Sequence, residues 1–256
     1  MTIDMDKMKQ RKGNLQNRGG TNGGNANFWR PQDGEQTIRI LPTPDGDPFK
    51  DYWFHYNVGN KPGFLSPKKN FGEDDPLDSF VRKLFGEGTE ESRKLAKDLM
   101  AKQRFFSPVI VRGEEDRGVQ VWGYSKTVYE TLLNLVLNPE YGDITDPESG
   151  TDLVIVYGKP AGASFPQTKI TPRRRSTQLF DEMDDDQCAS TLESIPDMDN
   201  LFERKGPEEV GSMLDEFLSG DDGAEQRSTE TEKYGTADKA TTSDTVDQAF
   251  QELLGS

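Results

Sequence analysis

The chain has 256 residues, only 32% of them hydrophobic and 30% charged, an apolar fraction too low for a fully buried globule of that length. Its net charge of −15 is unevenly divided: residues 1–180 hold 26 Lys+Arg against 24 Asp+Glu, and residues 181–256 hold 5 against 22, so a near-neutral domain that can carry a basic surface precedes an acidic segment able to compete for it. One cysteine (Cys188) and one histidine (His55) exclude an intrachain disulfide and a thiolate zinc cage, and the absence of a membrane-length apolar run or signal-peptide core leads us to expect an intracellular protein without membrane contact.

In chain order, residues 1–27 read as a flexible basic arm: Lys7, Lys9, Arg11, Lys12 and Arg18 run into GGTNGGNAN, which can neither bury a core nor hold a helix. TIRILP (37–42) alternates as a strand with Ile38 and Ile40 inward and Arg39 outward, and KDYWFHYNVG (50–59) as a second, with Tyr52, Phe54, Tyr56 and Val58 on one face and Trp53, His55 and Asn57 on the other. A turn-rich stretch then leads to a helix carrying Leu77, Phe80, Val81, Leu84 and Phe85, ended by Gly86 and Gly88, and to a charged helix over 89–101 that opens on a capping signal. RFFSPVIVRG (104–113) and VQVWGYSK (119–126) make a hairpin. In its second strand Val119, Val121 and Gly123 share the core side, which leaves Trp122, Tyr124 and Lys126 on an open face. TVYETLLNLVL (127–137) is a helix and TDLVIVYG (151–158) the last clear strand.

Short strands interrupted by helices predict a mainly β, α+β fold: a five-stranded Greek-key barrel of the OB type over residues 28–180, with a helical subdomain at about 60–101. Residues 181–256 read as an acidic, largely disordered tail. Within it MLDEFLSG (213–220) and AFQELLGS (249–256) resemble each other, as frayed helix or as docking motifs for partner proteins.

Catalysis has little to build on. The single histidine and cysteine are far apart, and neither a GxxxxGK[ST] nor a GxGxxG loop is present, so no enzyme is expected. Binding of a flexible polyanion needs cations for phosphates and aromatic faces for bases, and the folded part interleaves both. Candidate cations are Arg39, Lys61, Lys68, Lys69, Lys102, Arg104, Arg112, Lys126, Arg173, Arg174 and Arg175; candidate stacking rings are Trp53, Tyr56, Phe105, Phe106, Trp122 and Tyr124. Each ring has a place in the core as its alternative. RRRST (173–177) suggests an anion site, because three consecutive arginines repel one another unless an anion lies between them, with an unstructured basic run as the alternative.

In order and spacing, TIRILPTPDGDPFKDYWFHYN, KQRFFSPVIVRGEEDRGVQVWGYSKTVYETLLNLV and GDITDPESGTDLVIVYGKP resemble the gene 32 single-stranded DNA-binding proteins of T-even-type phages over roughly residues 30–170. The resemblance implies an OB-fold core with a cationic, aromatic-lined cleft, in which the family's strand aromatics fall on Phe105, Phe106, Trp122 and Tyr124. It also implies self-association along the strand through the basic arm (Lys7, Lys9, Arg11, Lys12), a tail over 181–256 that recruits phage replication and recombination proteins and covers the cleft, and work in the cytoplasm of an infected bacterium. The family's basic-hydroxyl motif matches Arg173-Arg174-Arg175-Ser176-Thr177. Zinc-containing members hold their metal with a histidine and three cysteines. His55 stands at the histidine position, whereas the CPxC that should follow is Asp75-Pro76-Leu77-Asp78. No structural zinc and no other cofactor are therefore expected, and Phe64, Leu65, Phe71, Leu77, Phe80 and Leu84 have to hold the subdomain by packing.

The expected function is sequence-nonspecific, cooperative binding and protection of unpaired DNA in replication, recombination and repair, with binding strengthened by deletion of residues 181–256 and weakened, without unfolding, by Trp122→Ala. The rival readings are an acidic protein-interaction adaptor or DNA mimic, and a single-stranded RNA-binding OB protein.

Overall fold

The structure, a computed structural model, describes residues 26–59, 62–180 and 185–219. Eight strands form one mixed sheet: β1 (Phe28–Trp29), β2 (Gly34–Ile40), β3 (Lys50–His55), β4 (Phe64–Leu65), β5 (Lys102–Val111), β6 (Gln120–Tyr124), β7 (Leu153–Gly158) and β8 (Gln167–Pro172). The main path runs β1-β6-β5-β2-β7-β8, with β3 pairing β5 and β4 pairing β3. Every pair is antiparallel except β1 with β6. The ten-residue β5 organises the sheet: its first half pairs β3 (Trp53 opposite Gln103) and its second half pairs β2 (Arg39 opposite Ile110). Pro108, which has no N–H to give a ladder, falls where the partner changes.

The helices are α1 (Pro67–Phe71), α2 (Pro76–Glu87), α3 (Glu90–Leu99), α4 (Lys126–Val136), α5 (Asp185–Glu193) and α6 (Pro207–Ser219). Their limits follow from caps. Ser66, Asp75 and Thr89 accept the backbone N–H of Lys69, Asp78 and Ser92, and Gly72 and Gly88 end α1 and α2 at φ 72° and 75°, a left-handed conformation that a side chain would strain. Six elements were not read from the sequence: the two-residue strands β1 and β4, and α1, β8, α5 and α6. α1 lies in the stretch read as turns, β8 is polar and exposed on alternate residues, and α5 and α6 lie in the segment assigned to the tail.

The two faces of the central strands answer to different cores. Ile38, Ile40, Val109, Val111 and Leu153 point to one face and pack with Val128 and Leu132 of α4. Trp122 and Tyr124 belong to this core at 1% and 4% exposure, which corrects their expected place on an open face. Trp122 meets Trp29 edge to face at 5.7 Å and Tyr124 at 4.5 Å between ring centres, and the Tyr124 hydroxyl shares a 2.7 Å hydrogen bond with Ser107 Oγ. Burial pushes the Tyr124 phenol far up from its ordinary range.

Val121, on the opposite face of β6, is buried as well, in a second core with Tyr52, Phe54, Tyr56 and Phe106. The cover of this second core comes from residues 195–202. Phe202 lies edge-on to Phe54 and Phe106, 4.9 Å from each, and stacks on Phe28 at 5.6 Å. Tyr52 donates its hydroxyl proton to the Met198 carbonyl at 2.7 Å. Leu179 and Cys188 close over Leu41 and Ile110 nearby, and Val210, Met213 and Leu214 of α6 join Leu77, Val81 and Leu84 of α2. Residues 185–219 are thus part of the folded body rather than of a disordered tail. Their acidic composition reflects only the outward face of elements whose inward face is apolar.

Candidate nucleic-acid interface

Seven of the seventeen candidate residues have their side chains inside the body: Arg39, Tyr56, Arg104, Phe105, Phe106, Trp122 and Tyr124 are all buried. Arg39 does point away from the first core, as its alternation predicts, but the loop 146–152 closes over it. Its guanidinium donates to Asp152 Oδ1 (3.0 Å), to the carbonyls of Asp146 and Gly150 (3.1 Å each), and to the carbonyl and hydroxyl oxygens of Thr177 (2.9 and 2.6 Å). Burial lowers its pKa and Asp152 opposes that shift. A buried guanidinium so fully paired anchors the fold and offers nothing to a phosphate. Arg112, half-buried, shares Asp152 and donates to the carbonyls of Gln178 and Leu179.

This anchoring orders the arginine run. The Arg173 N–H donates to the Asp152 carbonyl at 2.9 Å and the Thr177 N–H to the Gly150 carbonyl at 3.1 Å, so both ends of RRRST are pinned to the loop that Arg39 holds. Between them Arg174 and Arg175 are exposed, and no ion pair holds either among the described residues. Beside the run lies a groove of about 620 Å³ lined by Thr37, Arg112, Glu115, Asp152, Arg173 and Thr177. Of the two readings of this run, the unstructured one is removed.

Trp53 is the one candidate ring left partly open. Asn70 fixes its strand by bonding both the N–H and the carbonyl of Trp53 (2.9 and 2.7 Å), and Lys69 places Nζ 5.3 Å from the ring centre. Along the same face come Gln103, opposite Trp53, and Phe105, opposite Asp51. Tyr129, partly exposed on α4, stacks on Phe105 with ring centres 3.9 Å apart and planes 12° apart. Lys126, exposed, precedes it on α4, whereas Lys102, opposite Phe54 and so on the other face of β5, donates Nζ to the Lys97 carbonyl at 2.7 Å. Tyr129 was not among the candidate rings; its helix was read only for its apolar stripe, and its i+3 spacing from Lys126 was the available signal. Lys68 lies at the margin, paired with Asp78 at 2.8 Å. The structure therefore offers two surfaces, a strip Lys69–Trp53–Gln103–Tyr129–Lys126 and the arginine run with its groove. Lys61 and the arm residues Lys7, Lys9, Arg11 and Lys12 lie outside the described residues.

A family model described as gp32 DNA binding protein like matches residues 32–217. The chain belongs to the gp32-like DNA-binding protein family. The match reaches into α6, which agrees with the packing of residues 185–219 into the body. No curated protein was found to match the chain. Membership makes this a gp32-type single-stranded DNA-binding protein.

The positions at which zinc-containing gp32 proteins carry ligands hold a hydrogen-bonded knot here. His55 Nδ1 faces the Leu99 carbonyl at 2.9 Å, which can only accept, so that nitrogen carries a proton. Nε2 faces Asp75 Oδ2 at 3.1 Å, and the same oxygen accepts from Ser66 Oγ at 2.6 Å. Asp78 turns outward to Lys68 and Arg82. With both ring nitrogens engaged and no thiolate present, these residues do not fit a zinc centre, and among the described residues no other group of three donors could hold a metal. Phe64, Leu77 and Leu84 pack in the lobe core with Phe80 at its margin, while Leu65 joins the second sheet core. Phe71 departs from the expected packing: it is 39% exposed and carries the Arg204 guanidinium over its ring at 4.4 Å.

Burial pushes the Asp75 carboxyl up, but hydrogen bonds from His55, Ser66 and the Asp78 N–H outweigh it and hold the group below the ordinary carboxylate range. A depressed folded value means that the stabilisation is complete above the unfolded value of about 4 and is lost as pH falls through the folded one. The lobe is therefore expected to loosen below about pH 4, and Asp75→Asn is expected to cost about 1–3 kcal/mol by disrupting the buried hydrogen bonds at this carboxylate. Urea melts at neutral and acid pH measure both, and an Asp75→Asn protein as stable as the parent at pH 7 would overturn the assignment.

Proposed function

We propose that the chain binds unpaired DNA without sequence preference, with bases stacking on Trp53 and Tyr129 and phosphates meeting Lys69, Lys126 and the arginine run. The observation that carries the function is membership of the gp32-like family over residues 32–217; Trp53, half-open beneath Lys69, supports the location. Every base has a π-face, so stacking tolerates any sequence. The strand pairing, with β5 shared between β3 and β2, is what an OB-type barrel would need. In this reading the basic arm serves cooperative neighbour contacts, the acidic residues beyond α6 compete for the interface and recruit phage replication and recombination proteins, and the protein acts in the cytoplasm of an infected bacterium.

Titration with oligo(dT) while following tryptophan fluorescence tests the reading. Trp29 and Trp122 are buried at 6% and 1% exposure, so the response belongs to Trp53. Trp53→Ala is expected to abolish the signal and to weaken binding by about 1–3 kcal/mol, roughly fivefold to a hundredfold. An unchanged affinity in a competition assay would move the bases elsewhere, and equal affinity for RNA oligomers would favour an RNA-binding role.

The arginine run has its own readout. Arg174→Ala and Arg175→Ala are each expected to reduce the slope of log affinity against log salt by about 0.7, the contribution of one phosphate on a single strand. A slope identical to that of the parent in the double variant would remove the run from the interface.

A further inference from the structure

The apolar stripe of α6 recurs near the C-terminal end of the sequence. Val210, Met213, Leu214, Phe217 and Leu218 return 36 positions later as Val246, Ala249, Phe250, Leu253 and Leu254, and Glu216 returns as Glu252. Both sets follow the i, i+3, i+4, i+7, i+8 spacing of one helical face. In the first copy the stripe has a defined seat. Val210, Met213 and Leu214 are buried against Leu77, Val81 and Leu84 of α2, with Phe217 at the margin. The contact at Gly211 leaves room for a side chain: a Cβ there would meet Pro76 Cγ at 3.8 Å, an ordinary contact, so the Cβ of Asp247, which stands at the Gly211 position, meets no clash.

We propose that residues 246–254 are a second occupant of the α2 seat, reached within the same chain and exchanging with α6. The buried positions stay apolar, with Val246 for Val210, Ala249 for Met213 and Phe250 for Leu214. Ala249 and Leu253 are smaller than Met213 and Phe217 and Phe250 is larger than Leu214, so the second copy fits the seat less well and α6 holds it by default. Reach is sufficient, because residues 220–245 can extend up to about 90 Å, against a seat about 20 Å long. Tethering favours the same chain over a second molecule, since a linker of this kind supplies an effective concentration on the order of millimolar. The proposal does not rest on the DNA-binding reading.

Disulfide trapping in the full chain tests it, with Cys188 buried and out of reach. Pro76→Cys with Gly211→Cys reports the resting arrangement, Pro76→Cys with Asp247→Cys reports the exchanged one, and Lys94→Cys with Asp247→Cys, directed at an exposed point on α3, gives the background. In a glutathione buffer the Pro76/Asp247 pair is expected to close within one chain at least about tenfold more than the background pair; closure at background level, or only between chains, overturns the proposal. Should Pro76→Cys disturb the lobe, a measurement without substitutions decides. Deleting residues 243–256 removes the competitor and is expected to slow hydrogen exchange of the α6 amides severalfold, and unchanged exchange rates overturn the proposal.

Discussion

Deleting residues 181–256 is expected to unfold the protein, whereas deleting residues 220–256 is expected to leave it folded and binding DNA more tightly at low salt. The shorter deletion spares every contact described for α5, α6 and the segment between them. The longer one strips the second sheet core of Met198, Leu201 and Phe202 and the α2 lobe of Val210, Met213 and Leu214, all of them buried or partly buried apolar groups. At about 1.5–3 kcal/mol for each such side chain, the loss reaches about 10 kcal/mol, as large as the whole net stability of an ordinary domain, about 5–15 kcal/mol. It also leaves Tyr52, Phe54 and Phe106 facing water in one patch, which invites aggregation. Far-UV circular dichroism and thermal melts of the two truncated chains separate the outcomes, and a cooperative melt of residues 1–180 at the parent temperature would overturn the packing argument. For residues 1–219 the comparison is electrostatic. The removed segment holds 9 Asp+Glu against 3 Lys+Arg, so its competition should fade as salt rises, and equal affinities of the truncated and full chains at low salt would dismiss the competing-tail reading.

The same residues show what the sequence could and could not tell. Alternation located β2, β3, β5, β6 and β7 and assigned the direction of Ile38, Ile40 and Arg39 correctly, because side-chain direction along a strand is a local property. What covers each face is not local. Arg39 points outward, yet the loop 146–152 and Thr177, more than a hundred residues away, close over it. Placing Trp122 and Tyr124 on an open face because Val121 occupies a core face is a step that holds only when a sheet has one buried side. A signal against it was present: every residue from Arg104 to Val111 is buried, and RFFSPVIV is the near-continuous apolar run expected of a strand covered on both faces. The cover itself was hidden by composition. In PEEVGSMLDEFLS the acids are as prominent as Val210, Met213, Leu214 and Phe217, and counting charge concealed a helical stripe that periodicity would have found. Of the candidate interface, Trp53, Lys69, Lys126 and the arginine run remain at the surface, and Tyr129, three positions after Lys126, joins them through its stacking on Phe105.

Trp122→Ala and Trp53→Ala are expected to fail in opposite ways, and the contrast tests the reassignment of the strand faces. Trp122 is 1% exposed and packs on Trp29 and Tyr124. Its truncation opens a cavity the size of an indole among groups that cannot collapse onto it, at a cost of about 3–5 kcal/mol, a fall in melting temperature of roughly 6–20 °C for a chain of this size. DNA affinity of the fraction still folded should be near that of the parent, since the ring reaches no surface. Trp53 stands on the face that carries Lys69, and its backbone is held by Asn70 through both polar groups. Losing that indole removes a partly exposed ring and leaves the strand anchored, so the melting temperature should move little while oligo(dT) binding weakens. The two variants measured side by side, by thermal melt and by a competition assay that needs no tryptophan signal, give four numbers of which two should change. A Trp122→Ala protein that melts with the parent and loses DNA would mean that β6 opens to the nucleic acid, with its buried rings exposed in the bound state.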